Sequence, residues 1–376
     1  MKFFSLIFLF LATACTRPEI SPLEHVLMSA HPAMARVLHD PAAYEIQVLY
    51  TRISKDKNGR PVFTGHSFRN NSSVYFYPAS TVKLPLAVLA MEFCSQHKNI
   101  TPHTPYTLTG DTTPHTIADD VRQIFAVSDN RAYNRLYELL GRDRTNKLLR
   151  EKGAAPIRIA HRLSTPNAAD STRATFFFKL KDTVIPVVGK DGATIAKLPL
   201  KNQQKGKGFI RDGKLVHAPM DFSEKNHFPL KAQQGTLKRL FYPEAFLGTE
   251  TFGISEKNRK LLLHAMHAPP RKQGYNSKEH YDSYGKFFMY GDTKEDIPQH
   301  IKIYNKVGYA YGTLTDNAYI VDEKNGIRFF LSATVLVNKN GIFNDDTYEY
   351  ETIGIPFLSQ LGRELYLYEY AQRQRE

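Results

Sequence analysis

Apolar residues recur at helical spacing through the middle of this chain and gather into strand-like runs at its two ends. Residues 16–42 combine early prolines with a weakly apolar stretch and read as a tether followed by a first helix. YEIQVLYTRI and PVFTGHSF then read as two strands joined by a turn around Asn58-Gly59. YPASTVKLPLAVLAMEF opens a long apolar helix. HTIADDVRQIFAV, NRAYNRLYELLG and RDRTNKLLREKG follow as three helical patterns, with Gly141 and Gly153 as stop signals. Helical spacing returns in TLKRLFYPEAF and SEKNRKLLLHAM, and the aromatic-rich EHYDSYGKFFMY is expected to be helical too. IKIYNKVG, TDNAYIVD and IRFFLSATVLV read as three late strands, the last two turning at Asn325-Gly326. A helix from about Tyr350 to Glu369 closes the chain.

Strands at both ends with helices between them bring the two ends into one sheet. The expected architecture is an α/β sandwich, an antiparallel sheet of N- and C-terminal strands packed on a helical subdomain, rather than a doubly wound fold. One domain is expected over residues 43–376. From about 176 to 228 Lys, Gly and polar residues increase, and KGKGFIRDGKLV has the pattern of a hairpin turning at Asp212-Gly213. This segment is expected to decorate the domain as an insertion.

With 376 residues, 42% of them hydrophobic, the chain is long enough for a substantial core. MKFFSLIFLFLATAC pairs one Lys with a short apolar run and small residues, the form of a secretory signal and too short for a stable span. Because Ala12-Thr13-Ala14 runs directly into Cys15, residues 1–14 resemble a bacterial lipoprotein signal in which Cys15 carries lipid. That predicts an exported, membrane-anchored envelope protein, periplasm-facing in a Gram-negative host. The alternative is an ordinary cleaved signal with an incidental Cys. Cys94 is then left without a partner, in an apolar helix where a buried structural thiol is expected and no disulfide framework. The formal charge of +13 comes from scattered Lys and Arg, which favours attraction of carboxylate-bearing substrates at an anionic envelope over nucleic acid. No metal or cofactor is called for: His264 and His267 share a helical spacing without a strong third ligand.

The candidate chemistry is nucleophilic. Ser followed three residues later by Lys occurs, among other places, at Ser54/Lys57, Ser80/Lys83 and Ser283/Lys286, and only Ser80/Lys83 starts a long apolar helix. There Lys83 lies on the same face one turn on, within reach of the Ser80 hydroxyl, and the helix N-terminus offers free N–H groups to an oxyanion. A second ammonium such as Lys306 disfavours protonated Lys83, and a neutral lysine is a base. Ser128-Asp129-Asn130 precedes a helix, so capping alone also explains it. Lys306-Val307-Gly308 stands out from the other Lys-x-Gly occurrences by its strand setting.

Taken in order, these three motifs resemble the class A β-lactamase and penicillin-binding protein superfamily over roughly residues 43 to 371, apart from the 176 to 228 segment. The resemblance implies that Ser80 is acylated, Lys83 accepts its proton and Ser128 relays a proton to the leaving nitrogen. It implies that Asn130, Lys306, Gly308 and Tyr309 bind substrate: Asn130 the amide side chain, Lys306 the carboxylate, and the Ser80 and Tyr309 N–H groups the oxyanion. A small molecule or a peptidoglycan fragment would be the substrate. Val307 stands where that family usually has Thr or Ser on the antibiotic's carboxylate, a loss of about 1.5–3 kcal/mol unless Thr313 or a tyrosine hydroxyl replaces it. GAAPIRIAHRLSTPNAADSTRAT, where the family carries a deacylating Glu, contains none; Arg162-Leu163 resembles the loop's start and Asp170 is its carboxylate. The expected function is β-lactam hydrolysis or acylation. The alternatives are a D-Ala-D-Ala peptidase or esterase of the same superfamily, and a non-catalytic envelope binding protein.

Overall fold

The computed structural model describes residues 20–375, except 190, 192–194 and 196. The expected signal, residues 1–14, and the expected lipidation site, Cys15, lie outside the described residues. In chain order, α1 (Pro22–Leu27) and α2 (Pro32–Leu38) are two short helices in place of the one expected. β1 (Gln47–Lys55) and β2 (Pro61–Phe68) form the expected hairpin, its turn carried by Gly59 at φ 77°. A 3₁₀ turn, Ala79–Val82, leads into α3 (Lys83–Gln96), then β3 (Tyr106–Leu108), β4 (Asp111–His115), α4 (Ile117–Val127), α5 (Asn130–Leu140) and α6 (Arg142–Glu151). β5 (Thr175–Lys179), β6 (Val184–Val188), β7 (Gln204–Lys205), β8 (Gly208–Arg211), β9 (Lys214–Val216) and β10 (Met220–Asp221) occupy the segment expected to be an insertion. There follow α7 (Leu230–Phe241), α8 (Glu256–His267), β11 (Ile301–Asn305), β12 (Gly308–Ala310), β13 (Thr313–Asp322) and β14 (Ile327–Leu336). β15 (Ile342–Phe343), a π-helical turn at Tyr350–Gly354 and α9 (Ile355–Arg373) complete the chain.

The main sheet runs β11-β13-β14-β1-β2, antiparallel throughout, with β12 also paired to β13. Val48 faces Ala333 across the join between the first and the last long strand. The two ends of the chain therefore share one sheet, as their β-rich runs predict. One core, including Val48, Phe329 and Leu361, lies where α9 packs on β14, and Leu23 of α1 and Met34 of α2 join it. A second core surrounds α3, whose residues from Lys83 to Cys94 are all buried. A helix apolar on every side belongs at the centre of a subdomain, and α3 takes that place. Cys94 is 5% exposed, and burial pushes its thiol up to about 12. It is an inert packing group.

Two expectations need correction. The segment from 176 does not begin as decoration: β5 pairs with β3 and β6, and Phe176 and Phe178 are fully buried in the α3 core. The added character starts later, where β8 and β9 turn at Asp212-Gly213 as expected and β15 joins them in parallel. EHYDSYGKFFMY, residues 279–290, forms no helix. Its backbone donors are taken elsewhere: the N–H groups of Phe287 and Phe288 donate to the Asp316 carboxylate at 3.1 and 3.2 Å, and Gly285 and Met289 adopt φ 72° and 68°. A helix needs those N–H groups for its own carbonyls.

Candidate active site

Ser80 lies on the single 3₁₀ turn before α3. Ala79 ahead of it is held at φ 45°, a left-handed conformation that costs a non-glycine residue on the order of 1–2 kcal/mol, and Pro78 O accepts from both Thr81 N (3.1 Å) and Thr81 Oγ1 (2.7 Å). β12 lies against this turn. A Cβ on Gly308 would come within 2.5 Å of Pro78 O, 2.8 Å of Ser80 N and 2.9 Å of Thr81 N, so only glycine fits. The glycine of the Lys-x-Gly motif thus lets one strand touch the backbone that carries Ser80. Partly exposed, Ser80 lines two adjoining cavities of about 580 and 300 Å³, and Asn130 and Tyr309 line both.

Ser128 ends α4 at φ 57° in the left-handed conformation, while Asp129 caps α5 by accepting from Ala132 N at 2.7 Å. The capping reading therefore belongs to Asp129, and the residues on either side of it turn to the site. Ser128 Oγ lies 2.9 Å from Lys306 Nζ and 3.2 Å from Lys83 Nζ. Lys83 Nζ also donates to Ser128 O and, at 2.7 Å, to Asn130 Oδ1. Lys83 is fully buried. Burial and the Lys306 charge push its pKa well below the ordinary lysine value, against a smaller pull from Asp129. A neutral amine has two N–H groups for the two carbonyl oxygens, which leaves its lone pair towards the Ser128 hydroxyl.

Lys306, 3% exposed, is itself pushed down to about 7, mainly by burial, with Asp316 opposing and Lys286 assisting. Behind it, Asn305 donates to Asp316 Oδ1 at 2.8 Å and accepts from Lys286 Nζ at 2.6 Å. This absorbs one competing serine-lysine pair: Lys286 also donates to Met266 O and Ile303 O, and Ser283 Oγ donates to Thr293 O. Ser54 and Lys57 are exposed at the β1-β2 turn.

No hydrogen bond links Lys83 to Ser80; the amine is held by Ser128 and Asn130 one helix away. Val307 is 4% exposed and packs in the sheet core. Thr313, 3% exposed, does not line either cavity, whereas the Tyr309, Tyr311, Tyr348 and Tyr350 rings do. Of these, the Tyr350 and Tyr348 hydroxyls already accept from Gly312 N (2.8 Å) and Asn344 N (2.7 Å).

Arg162 holds the loop that follows. Buried against Glu138 of α5, it donates to the carbonyls of Asn167 (2.9 Å), Asp170 (2.8 Å) and Thr172 (2.6 Å). Asp170 supplies only its backbone here; it is exposed and lines neither cavity. Ser164, at φ 49°, instead accepts from Asn130 Nδ2 at 2.9 Å. Ser164, His161, Lys225 and Asp346 line the larger cavity and carry no motif that marks them in the sequence. Among the described residues, no group of three or more His, Cys, Asp or Glu has a metal-ligand arrangement. His267 packs on Tyr304 at 4.9 Å, while His264 beside it is exposed.

This is the fold of the β-lactamases and penicillin-binding proteins. The chain is similar to a β-lactamase from Xanthomonas campestris pv. campestris at 13% identity and TM-score 0.53, over 93% of this chain and 100% of that one. It is similar to PBP-A at 14% identity and TM-score 0.52, over 94% and 96%, and to a β-lactamase from Desulfarculus baarsii at 14% and 0.51, over 90% and 98%. Residues 60–185, from β2 through α5 and the Arg162 loop to β6, match the model of the Beta-lactamase enzyme family. No curated protein matches the chain in sequence.

Proposed function

We propose that this protein is a serine hydrolase that forms an acyl-enzyme at Ser80 and acts on β-lactams, by hydrolysis or by lasting acylation. The observation that carries this reading is Ser128 Oγ seated between two buried lysine amines beside a Ser80 that opens on a cavity. Lys83, neutral at rest, takes the Ser80 proton as Oγ attacks the carbonyl; hydrogen bonds of this kind are often unmade until substrate is bound. Lys306 and Lys83 supply Ser128 with a proton for the leaving nitrogen. The Ser80 and Tyr309 N–H groups receive the oxyanion, and Asn130 turns its amide from Ser164 to the substrate.

The test is labelling with a fluorescent penicillin, followed by intact mass, on protein lacking residues 1–19. Wild type should gain the mass of one penicillin and Ser80→Ala none; equal behaviour of the two sinks the proposal. Val307, buried in the core with no hydroxyl for a β-lactam carboxylate, favours a second reading as a D-Ala-D-Ala peptidase or esterase. Turnover of a D-Ala-D-Ala peptide in preference to nitrocefin supports it. A binding-only protein would have no need of two buried lysine amines on Ser128 beside Ser80. For location we propose a lipid anchor at Cys15, which Cys15→Ala should release from the membrane fraction.

A further inference from the structure

Away from Ser80 the main sheet ends in a cavity of about 1040 Å³, larger than either cavity at the site. Lys55, the last residue of β1, Pro61, the first of β2, and Arg328, near the start of β14, line it. Gly308, which touches the Ser80 turn, pairs with Thr315 of β13. Arg328 pairs with Val321, six residues further along that strand, or about 20 Å. The cavity and the site therefore stand at opposite ends of the strands. Its charge is mainly basic. Glu369 on its wall is already taken by Arg52 at 2.8 Å, which leaves the exposed Glu244 as the acid facing Lys55 and Arg328. Those two cations are exposed and form no ion pair among the described residues, and Arg373 at the end of α9 lies on the same wall.

The chain enters the fold on this wall. Ile20, Ser21 and Pro22 line the cavity, Ser21 caps α1 by accepting from Glu24 N at 3.2 Å, and His25 packs on Tyr368 of the same wall at 5.6 Å. Cys15 to Ile20 is a length of chain that reaches at most about 18 Å. A bilayer that holds Cys15 by lipid therefore has this end of the sheet beside its headgroups and the Ser80 site at the far end. We infer that Lys55 and Arg328 dock the cavity on the phosphate groups of anionic phospholipids in that membrane. The inference rests on the lipid anchor proposed at Cys15. A guanidinium offers paired N–H groups to phosphate oxygens, and an ammonium adds a compact charge. Attraction to an anionic surface fades within about 10 Å, so Lys and Arg at the Ser80 end take no part in it. Each basic residue at the surface is worth roughly fivefold in binding.

The experiment takes the chain from residue 15 with Cys15→Ser, which carries no lipid, and sediments it with vesicles at about 0.1 M salt. The vesicles are phosphatidylcholine alone or phosphatidylcholine mixed with phosphatidylglycerol. The protein should bind the mixed vesicles and leave the neutral ones. Lys55→Gln/Arg328→Gln should weaken that binding roughly 25-fold, and the control Arg211→Gln/Lys214→Gln by less than about twofold. Arg211 and Lys214 flank the β8-β9 turn at the Ser80 end, where Asn344 of the larger Ser80 cavity donates to Ile210 O at 2.9 Å. Equal binding to both kinds of vesicle, an unimpaired Lys55→Gln/Arg328→Gln protein, or an equal loss in the control overturns the inference. Displacement by millimolar glycerol phosphate also overturns it, because the cavity would then serve a soluble phosphate. The anchor is read separately, from the mass of the Cys15 peptide in full chain extracted from membranes. Lipid on that peptide without vesicle docking removes this inference alone; no lipid there removes the anchor and the docking with it.

Discussion

Gly308→Ala adds one methyl group where two backbones meet, and the geometry sets its effect. Ordinary contact begins near 3.4 Å, so a Cβ 2.5 Å from Pro78 O is short by 0.9 Å, with Ser80 N and Thr81 N crowded at 2.8 and 2.9 Å. None of these atoms is the flexible end of a side chain, so β12 and the Ser80 turn must part. Overpacking of this kind costs roughly 1–3 kcal/mol, which lowers the melting temperature by a few degrees in a chain of this size. The larger effect falls on chemistry. A displacement of about 1 Å at the reacting group costs roughly 10²-fold in rate, and the Ser80 N–H assigned to the oxyanion moves with it. The assay is the acylation rate with a fluorescent penicillin beside a melting curve, with Gly65→Ala as control, since a Cβ there meets only Thr51 Oγ1 at 3.8 Å. A Gly308→Ala protein that acylates within threefold of wild type refutes the close-approach argument. So does a loss of rate matched by Gly65→Ala.

Lys306→Met removes a charge that lowers the Lys83 pKa, so that pKa rises and less of Lys83 is neutral at a given pH. The acid limb of the acylation profile, measured across about pH 5 to 10, should move to higher pH; an unmoved limb or one moved lower counts against Lys83 as the base. Arg162→Ala leaves the buried Glu138 with Arg173, 3.8 Å away, as its remaining cation and takes one donor from each of three loop carbonyls, at a cost of about 3 kcal/mol. Urea unfolding should show that loss and limited proteolysis should cut between 163 and 172; unchanged curves would mean that the loop is held by something else.

What the sequence made legible was local. Ser80 and Lys83 announce themselves by opening an apolar helix, Asn58-Gly59 and Asn325-Gly326 by their turn chemistry, and Gly308 by its motif. Features set by distant residues were hidden. Residues 279–290 carry a helical composition, but Asp316 takes their N–H groups from a strand almost thirty positions away. β5 and β6 read as surface because β3, the strand that ties β5 into the core, lies some seventy residues earlier. The Lys83 amine reaches Ser128 and Asn130 rather than its own helix neighbour, a choice made by the way α4 and α5 pack on α3. Arg162 marked the loop but not what the loop delivers, since Ser164 looks ordinary until its hydroxyl is seen to accept from Asn130.

The competing pair, Ser283/Lys286, bears on the site without sharing its chemistry. Lys286 and Lys306 are both buried around Asn305, and Asp316 is the acid that acts on each of them. One carboxylate cannot offset two buried ammonium ions, so the interior sheds protons, and burial holds both lysines near 7 rather than 10.5. Lys306 is therefore able to give up a proton to Ser128 at neutral pH, and while it remains charged it keeps Lys83 neutral. Lys83, the proposed base at Ser80, is thus tuned by a chain of charges that begins one layer deeper, at the Ser283/Lys286 spacing. Lys286→Met should raise the Lys306 pKa and so keep Lys306 charged, and Lys83 neutral, to higher pH; an acylation pH profile identical to wild type would refute this chain of charges.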